Sequence, residues 1–281
     1  MTTFAHISDT HIRNVKYHEE YRKVFKDIYE SLENDRPDYI IHTGDIAHTK
    51  TQLSPEYFEL CAEFLKNLAD IAPTYIILGN HDGNLKNDNR QDAITPVIEA
   101  LQHPNLFLLK NSGETQLTDS ICLNVLSVFD RDNWTTPTDK SMVNIALYHG
   151  AIMGCEINEE WNLENGEDDI NIFTNFDYAM LGDIHKTQKL DPEGRVWYAG
   201  STVQQNFGES LLKGYLLWDI RDQDKFSVEK RLFMSPRPFY TVEINQDGTL
   251  PKVNVPKNSR LRLVSNYNLP LVKLRMACDY A

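Results

Sequence analysis

No stretch of the 281-residue sequence approaches the roughly 20 consecutive apolar residues that a membrane-spanning helix needs, so no membrane association is expected. The opening residues, Met1 to His6, carry neither a basic cluster nor a long apolar segment, which argues against a secretory signal. Cysteine is scarce. Cys61, Cys122, Cys155 and Cys278 are scattered without a C-x-x-C pair, a usage that fits reduced thiols and a cytoplasmic protein better than a disulfide framework. Positive charge is also short: 28 Lys/Arg stand against 41 Asp/Glu, a net charge of −13. The chain as a whole therefore lacks the basic footprint usual in nucleic-acid-binding proteins. The deficit is uneven. Residues 211–281 hold 12 basic and 7 acidic residues, which leaves 16 basic and 34 acidic residues in 1–210. The densest acidic run is 156–169, with seven acidic and no basic residues in 14 positions.

What remains is a soluble, globular composition, 41% hydrophobic and 25% charged. The length suits one large α/β domain, or a core of about 200 residues with a small appendage. In the first half, short apolar runs alternate with amphipathic stretches. Strands are expected at Thr3–Ile7, Tyr39–Thr43 and Tyr75–Leu78, with a helix over Tyr17–Leu32 whose apolar residues recur at helical spacing. A second helix is expected from Ser54 as N-cap and Pro55 at the first helical position to about Ile71. From Phe107 onward the pattern turns strand-rich: Phe107–Leu109, Ile121–Val128, Val143–Tyr148, Tyr178–Leu181, Val196–Ala199, Tyr215–Asp219 and Phe226–Leu232. Two prolines in Ser235–Pro238 suggest a boundary, giving a core over 1–235 and a segment 236–281 too short for a comfortable core of its own.

The chemistry-bearing residues cluster at the ends of these strands. Asp9-Thr10-His11 follows the first, Gly44-Asp45-Ile46-Ala47-His48 the second, and Gly79-Asn80-His81-Asp82 the third. His149 and His185 follow two later strands. Open α/β sheets place their ligands beyond the carboxyl ends of parallel strands, so these residues can converge. Each piece alone is weak, since Gly-Asp is an ordinary turn and D-x-H is commonly incidental. Five pieces, each at a strand end, point to one site. Carboxylate, imidazole and amide oxygen without thiolate form a donor set suited to Mn, Fe or Zn.

The order D-x-H, G-D, G-N-H-D, H, G-x-H resembles the calcineurin-like metallophosphoesterases over residues 4–185. His48, three places after Asp45, is similar to the nuclease branch typified by SbcD and the double-strand-break repair nucleases. So is the run Tyr198-Ala199-Gly200-Ser201, Asn206-Phe207-Gly208-Glu209 and Lys213-Gly214-Tyr215. The resemblance implies an αββα sandwich of two mixed β-sheets flanked by helices, with 236–281 as the start of a small, incomplete C-terminal capping and DNA-binding region. It implies that Asp9, His11 and His185 hold one metal, that Asp45 bridges, and that Asn80, His149 and Asp183 hold the second. His81, with His48 beside it, would stand at the scissile phosphate. Mn²⁺ is the implied ion, with Mg²⁺, Fe or Zn as substitutes. The implied activity is exo- and endonucleolytic hydrolysis of DNA by a homodimer working with an SbcC-like ATPase in repair and recombination.

One position departs from that branch, which usually reads G-H-x-H where this chain has Gly182-Asp183-Ile184-His185. Asp183 either binds the second metal as a harder, charged ligand or orients a ligand histidine. Two other functions stay open. A phosphodiesterase or phosphatase acting on a small molecule, such as a cyclic nucleotide, would use the same metals and suit the acidic surface. A non-catalytic scaffold with a degenerate metal site would rest on Asp183 alone.

Overall fold

The computed structural model describes every residue except 51–52, 88–89, 158–160, 165 and 281. Its framework is two six-stranded mixed sheets packed face to face. In the first, β1 (Thr2–Ile7), β2 (Tyr39–His42), β3 (Thr74–Ile76) and β4 (Leu106–Leu108) run parallel in that order. In the second, β5 (Gly113–Thr118) pairs antiparallel with β6 (Ile121–Leu126). Beside β6 lie the parallel strands β7 (Val143–His149) and β8 (Tyr178–Gly182). The short β9 (Gln188–Lys189) closes this sheet against β10 (Val196–Tyr198), which is parallel to β8. The chain then returns to the first sheet, where β11 (Leu212–Ile220) pairs antiparallel with β1, and β12 (Phe226–Met234) with β11.

The seam between the sheets is apolar: Phe4, Ile41, Ile77, Leu216 and Trp218 face Leu123, Ile145, Leu147, Tyr178 and Met180. The outer face of the first sheet is covered by α1 (His18–Asp35), α2 (Pro55–Ile71) and α3 (Thr95–Leu101). In α1 the buried stripe is Tyr21, Val24, Phe25, Ile28 and Leu32, and left-handed Arg36 ends the helix just before Pro37. Ser54 Oγ accepts the Tyr57 N–H at 3.2 Å, so the Ser-Pro start of α2 works as its sequence suggests. Over the second sheet the flanking helices are 3-10 turns, Arg131–Asn133 before β7 and Ile170–Phe173 in the long excursion after it. That excursion includes the acidic run, of which Glu159 and Glu160 lie outside the described residues.

Most expected elements lie within a few residues of their observed bounds, and β11 and β12 run longer because they pair along their whole length. After Pro236 and Pro238 the chain forms β13 (Phe239–Glu243) and β14 (Arg260–Val264), a parallel pair, then α4 (Leu271–Tyr280). This segment is tied back to the core. Arg260 forms a two-pronged ion pair with Glu20 of α1. Gln204 donates to Phe239 O at 3.0 Å and accepts the Phe239 N–H at 2.8 Å. Among the described residues no helix is long and apolar enough to cross a membrane.

Candidate metal centre

The parallel strands of both sheets present their carboxyl ends along one edge of the sandwich, and there the backbone is strained. Among the described residues seven non-glycine positions have positive φ. Arg36 and Gln102 are the C-caps of α1 and α3, and Asn258 sits in the turn before β14. The other four are Asp9 (φ 49°), His11 (46°), Asp45 (58°) and Asp183 (98°). Left-handed backbone costs an L-residue about 1–2 kcal/mol, and such residues concentrate where side chains must be aimed. The cost is offset by loops that zip together: Asp9 N–H donates to Gly44 O (3.1 Å), His11 N–H to Asp45 O (2.9 Å) and Ile12 N–H to Ile46 O (2.8 Å). The glycines are required by closeness. A Cβ on Gly79 would overlap Asp45 Oδ1, and one on Gly182 would overlap Ser8 Oγ and the Thr43 carbonyl.

These turns gather the donors into two lobes. Asp9, His11 and His185 offer ligand atoms within 4.8 Å of one another, as do Asp9, Asp45 and His149, and His11, Asp45 and His81. Asp45 joins the lobes, its Oδ2 lying 3.4 Å from His11 Nε2 and 3.4 Å from His149 Nε2. Asn80 and Asp183 sit on the His149 side. Asn80 Nδ2 donates to Asp183 Oδ1 at 3.2 Å, which itself is 3.8 Å from His149 Nε2. The expected residues thus gather on this edge, although neither Asp183 nor His48 belongs to those three groups.

Hydrogen bonds fix which ring nitrogens are free. His149 Nδ1 lies 2.6 Å from the Thr43 carbonyl, which can only accept, so Nδ1 carries a proton and Nε2 is the nitrogen left to act as a ligand once its own proton is displaced. That Nε2 is buried, has no hydrogen-bond partner, and faces Asp45 and Asp183. His185 Nδ1 donates to Glu209 Oε1 at 2.7 Å, which aims its Nε2 at His11 Nε2, 3.0 Å away. Asn80 Oδ1 and His11 Nδ1 are likewise buried without partners. Oxygen and imidazole donors aimed at one another and at buried carboxylates in this way fit divalent metals, which would displace the protons these groups otherwise hold.

Titration follows the same fields. Burial opposes a charge on His149, but Asp45 and Asp9 outweigh it and raise that group well above the usual imidazole range. Burial holds His11 neutral, near 3, and pushes the Asp9 carboxyl up to about 6. Burial also pushes Asp45 up, yet its contacts with His149 and His11 prevail and leave it well below the usual carboxylate range. A cation arriving here would compete with the proton on His149, so binding should weaken at low pH.

His81 occupies the open side. Its backbone N–H donates to Asp45 Oδ1 at 2.8 Å, and Nδ1 donates to the His48 carbonyl at 2.7 Å. The His48 ring stacks 6.2 Å away. A cleft of about 420 Å³ opens on the His48 side, lined by Arg13, Lys16 and Tyr17. Another of about 300 Å³ opens beyond Gly83, lined by Arg90, Lys110 and Phe129.

Two further carboxylates matter whose roles the sequence does not disclose. Asp82 is fully buried and accepts the N–H groups of Asp45 (2.8 Å), Ala47 (2.8 Å) and Gly79 (3.0 Å), pinning two loops at once. Burial and the nearby Asp45 push its carboxyl up to about 7, against the pull of those N–H groups. Burial likewise opposes charge on Glu209, but His185 and Lys213 prevail and hold it at about 2. Their only signals are the fourth residue of G-N-H-D and the Glu of F-G-E. Beneath the donors, His42 and Thr10 (2.8 Å) and His6 and Thr43 (3.0 Å) form a buried polar floor without an anticipated role.

The sequence profile described as calcineurin-like phosphoesterase matches residues 2–187. An uncharacterized protein of Acanthamoeba polyphaga mimivirus is 36% identical over 274 residues, covering 92% of this chain but only 20% of its own length. The chain therefore spans about one fifth of that relative. A protein of Invertebrate iridescent virus 6, named as a phosphoesterase, is 25% identical over 81% of each chain. A Staphylococcus epidermidis protein named as a component of the nuclease SbcCD is 24% identical over 96% of this chain and 82% of its own.

Proposed function

Because the chain belongs to the calcineurin-like phosphoesterase family, we propose that it is a two-metal phosphodiesterase whose substrate is DNA. The observation that carries the metal reading is Asp45 set equally between His11 and His149, with buried nitrogen and oxygen atoms around it that have no hydrogen-bond partner. In this reading Asp9, His11 and His185 hold one ion, Asn80, His149 and Asp183 the other, and Asp45 both. Divalent cations, Mn²⁺ above all, would neutralise the phosphoryl oxygens and activate water for in-line attack. The chain's own groups do the rest. Asp45 takes the His81 N–H and sets that ring beside the donors, while the His48 carbonyl fixes its Nδ1 proton. His81, when protonated at Nε2, can then donate to the leaving oxygen.

Support for DNA is of two kinds. The relative named as a nuclease matches nearly the whole chain. The cleft on the His48 side, lined by Arg13 and Lys16 and by no acidic residue, suits a polyanion approaching His81, whereas the cleft beyond Gly83 is balanced, with Lys110 paired to Asp92 at 2.8 Å. A homodimer and an SbcC-like ATPase partner belong to the same proposal, and sedimentation of the pure protein tests the first. The net charge of −13 favours the second reading, a small-molecule diesterase.

The deciding assay compares Mn²⁺, Mg²⁺ and chelator on end-labelled duplex and single-stranded DNA and on bis(p-nitrophenyl) phosphate. Mn²⁺-dependent DNA cleavage lost in His81→Ala is the expected result. Turnover of the small diester with intact DNA would reject DNA as the substrate, and no turnover of either would reject the enzyme. Asp183 is tested separately. Asp183→His, which replaces the carboxylate by imidazole, should tighten the second of two Mn²⁺ sites in titration calorimetry; unchanged second-site affinity would overturn that expectation.

A further inference from the structure

Glu209 and Lys213 form a buried charged pair set against His185, one of the candidate metal ligands. Glu209 and Lys213 side chains are 7% and 3% exposed. Glu209 Oε1 accepts from His185 Nδ1 (2.7 Å) and Asn206 Nδ2 (3.0 Å). Its Oε2 accepts from the Gln205 N–H (2.9 Å) and Ser201 Oγ (3.3 Å), and lies 3.0 Å from Lys213 Nζ. Lys213 Nζ also donates to the His185 carbonyl at 2.8 Å, so one ammonium grips both the carboxylate and the backbone of the histidine it orients. Lys213 itself is fixed in β11, which is hydrogen-bonded between β1 and β12.

Burying two charges costs several kcal/mol before their attraction is counted, and an apolar pair would often stabilise a fold as well. The arrangement makes sense as an aiming device. Imidazole has two nitrogens, and an anionic acceptor on Nδ1 fixes the tautomer, presents the Nε2 lone pair, and makes it a stronger donor.

We infer that Glu209, braced by Lys213, is a positioning residue that sets His185 for one of the two metal ions, an inference that rests on the two-metal reading above. Glutamine at 209 would have to turn an N–H₂ toward either His185 Nδ1–H or Lys213, setting donor against donor.

The test is Mn²⁺ titration calorimetry on the wild type, Glu209→Gln, and the neutral pair Glu209→Gln/Lys213→Met. The pair removes both buried charges together, so it keeps the experiment decisive where the single variant folds poorly. Wild type should bind two equivalents. Both variants should lose about 10–100-fold in affinity at one site, with the other unchanged. Saturating Mn²⁺ should restore much of any lost diester turnover, a recovery that a merely structural defect would not show. Two wild-type sites with undiminished affinity in a folded Glu209→Gln/Lys213→Met protein would overturn this inference and leave the two-metal reading standing. A wild type that binds no Mn²⁺ would overturn both.

Discussion

Asp45→Asn is expected to lower Mn²⁺-dependent diester turnover by on the order of a thousandfold while the protein melts close to the wild-type temperature. Asparagine tolerates the left-handed backbone that Asp45 adopts and can still accept the His81 N–H through its amide oxygen. What it removes is the negative charge 3.4 Å from both His11 Nε2 and His149 Nε2. In the proposed centre its loss weakens both ions together and leaves two cations without their shared counter-charge. Turnover of bis(p-nitrophenyl) phosphate across a Mn²⁺ series checks this. Activity within tenfold of wild type at all concentrations would remove Asp45 from the centre.

Asp82→Ala should fail differently, through the fold. Its carboxylate accepts three N–H groups from Asp45, Ala47 and Gly79 in a place closed to water. Each buried donor left unpaired costs roughly 1–3 kcal/mol, so a loss of about 3 kcal/mol or more is expected. For a chain of this size that lowers the melting temperature by roughly 6–12 °C, read by calorimetry in chelator. Turnover should fall as well, because the loops carrying Asp45, Asn80 and His81 lose their common anchor. A melting temperature unchanged in chelator would show that the pinning contributes nothing. The two variants together separate a side chain that binds from one that holds the binder in place.

Much of this site was legible because its residues sit at strand ends, where a short apolar run stops at Gly-Asp or Gly-Asn. The convergence of β1, β2 and β3 with β7 and β8 then follows from parallel strands with a common carboxyl edge. The Ser54-Pro55 start was legible for the same reason, since a cap is a local event. Other elements leave no local mark. α3 is seven residues with only Val97 buried, too short to show a period. β5 reads GETQLT, a polar edge strand visible only through its partner β6. The family resemblance implied helices over the second sheet as well, but no residues could be assigned to them because 3-10 turns carry no 3.6-residue repeat. Asp82 and Glu209 were in view as letters of motifs. Their work is done through backbone N–H groups and ring nitrogens from distant loops, which no spacing encodes.

The left-handed turns at Asp9, His11, Asp45 and Asp183 bear on any attempt to move this chemistry elsewhere. A short peptide copying residues 5–12 or 42–48 would relax to extended or right-handed backbone, which is lower in energy by about 1–2 kcal/mol for each such residue. Its carboxylate and imidazole would then point apart. Glycine would accept the same turns without strain, but it brings no donor atom. The motif is therefore not a portable cassette. A designer grafting it onto another scaffold must import two neighbouring sheets whose loops bond across to one another, and only then the letters between them.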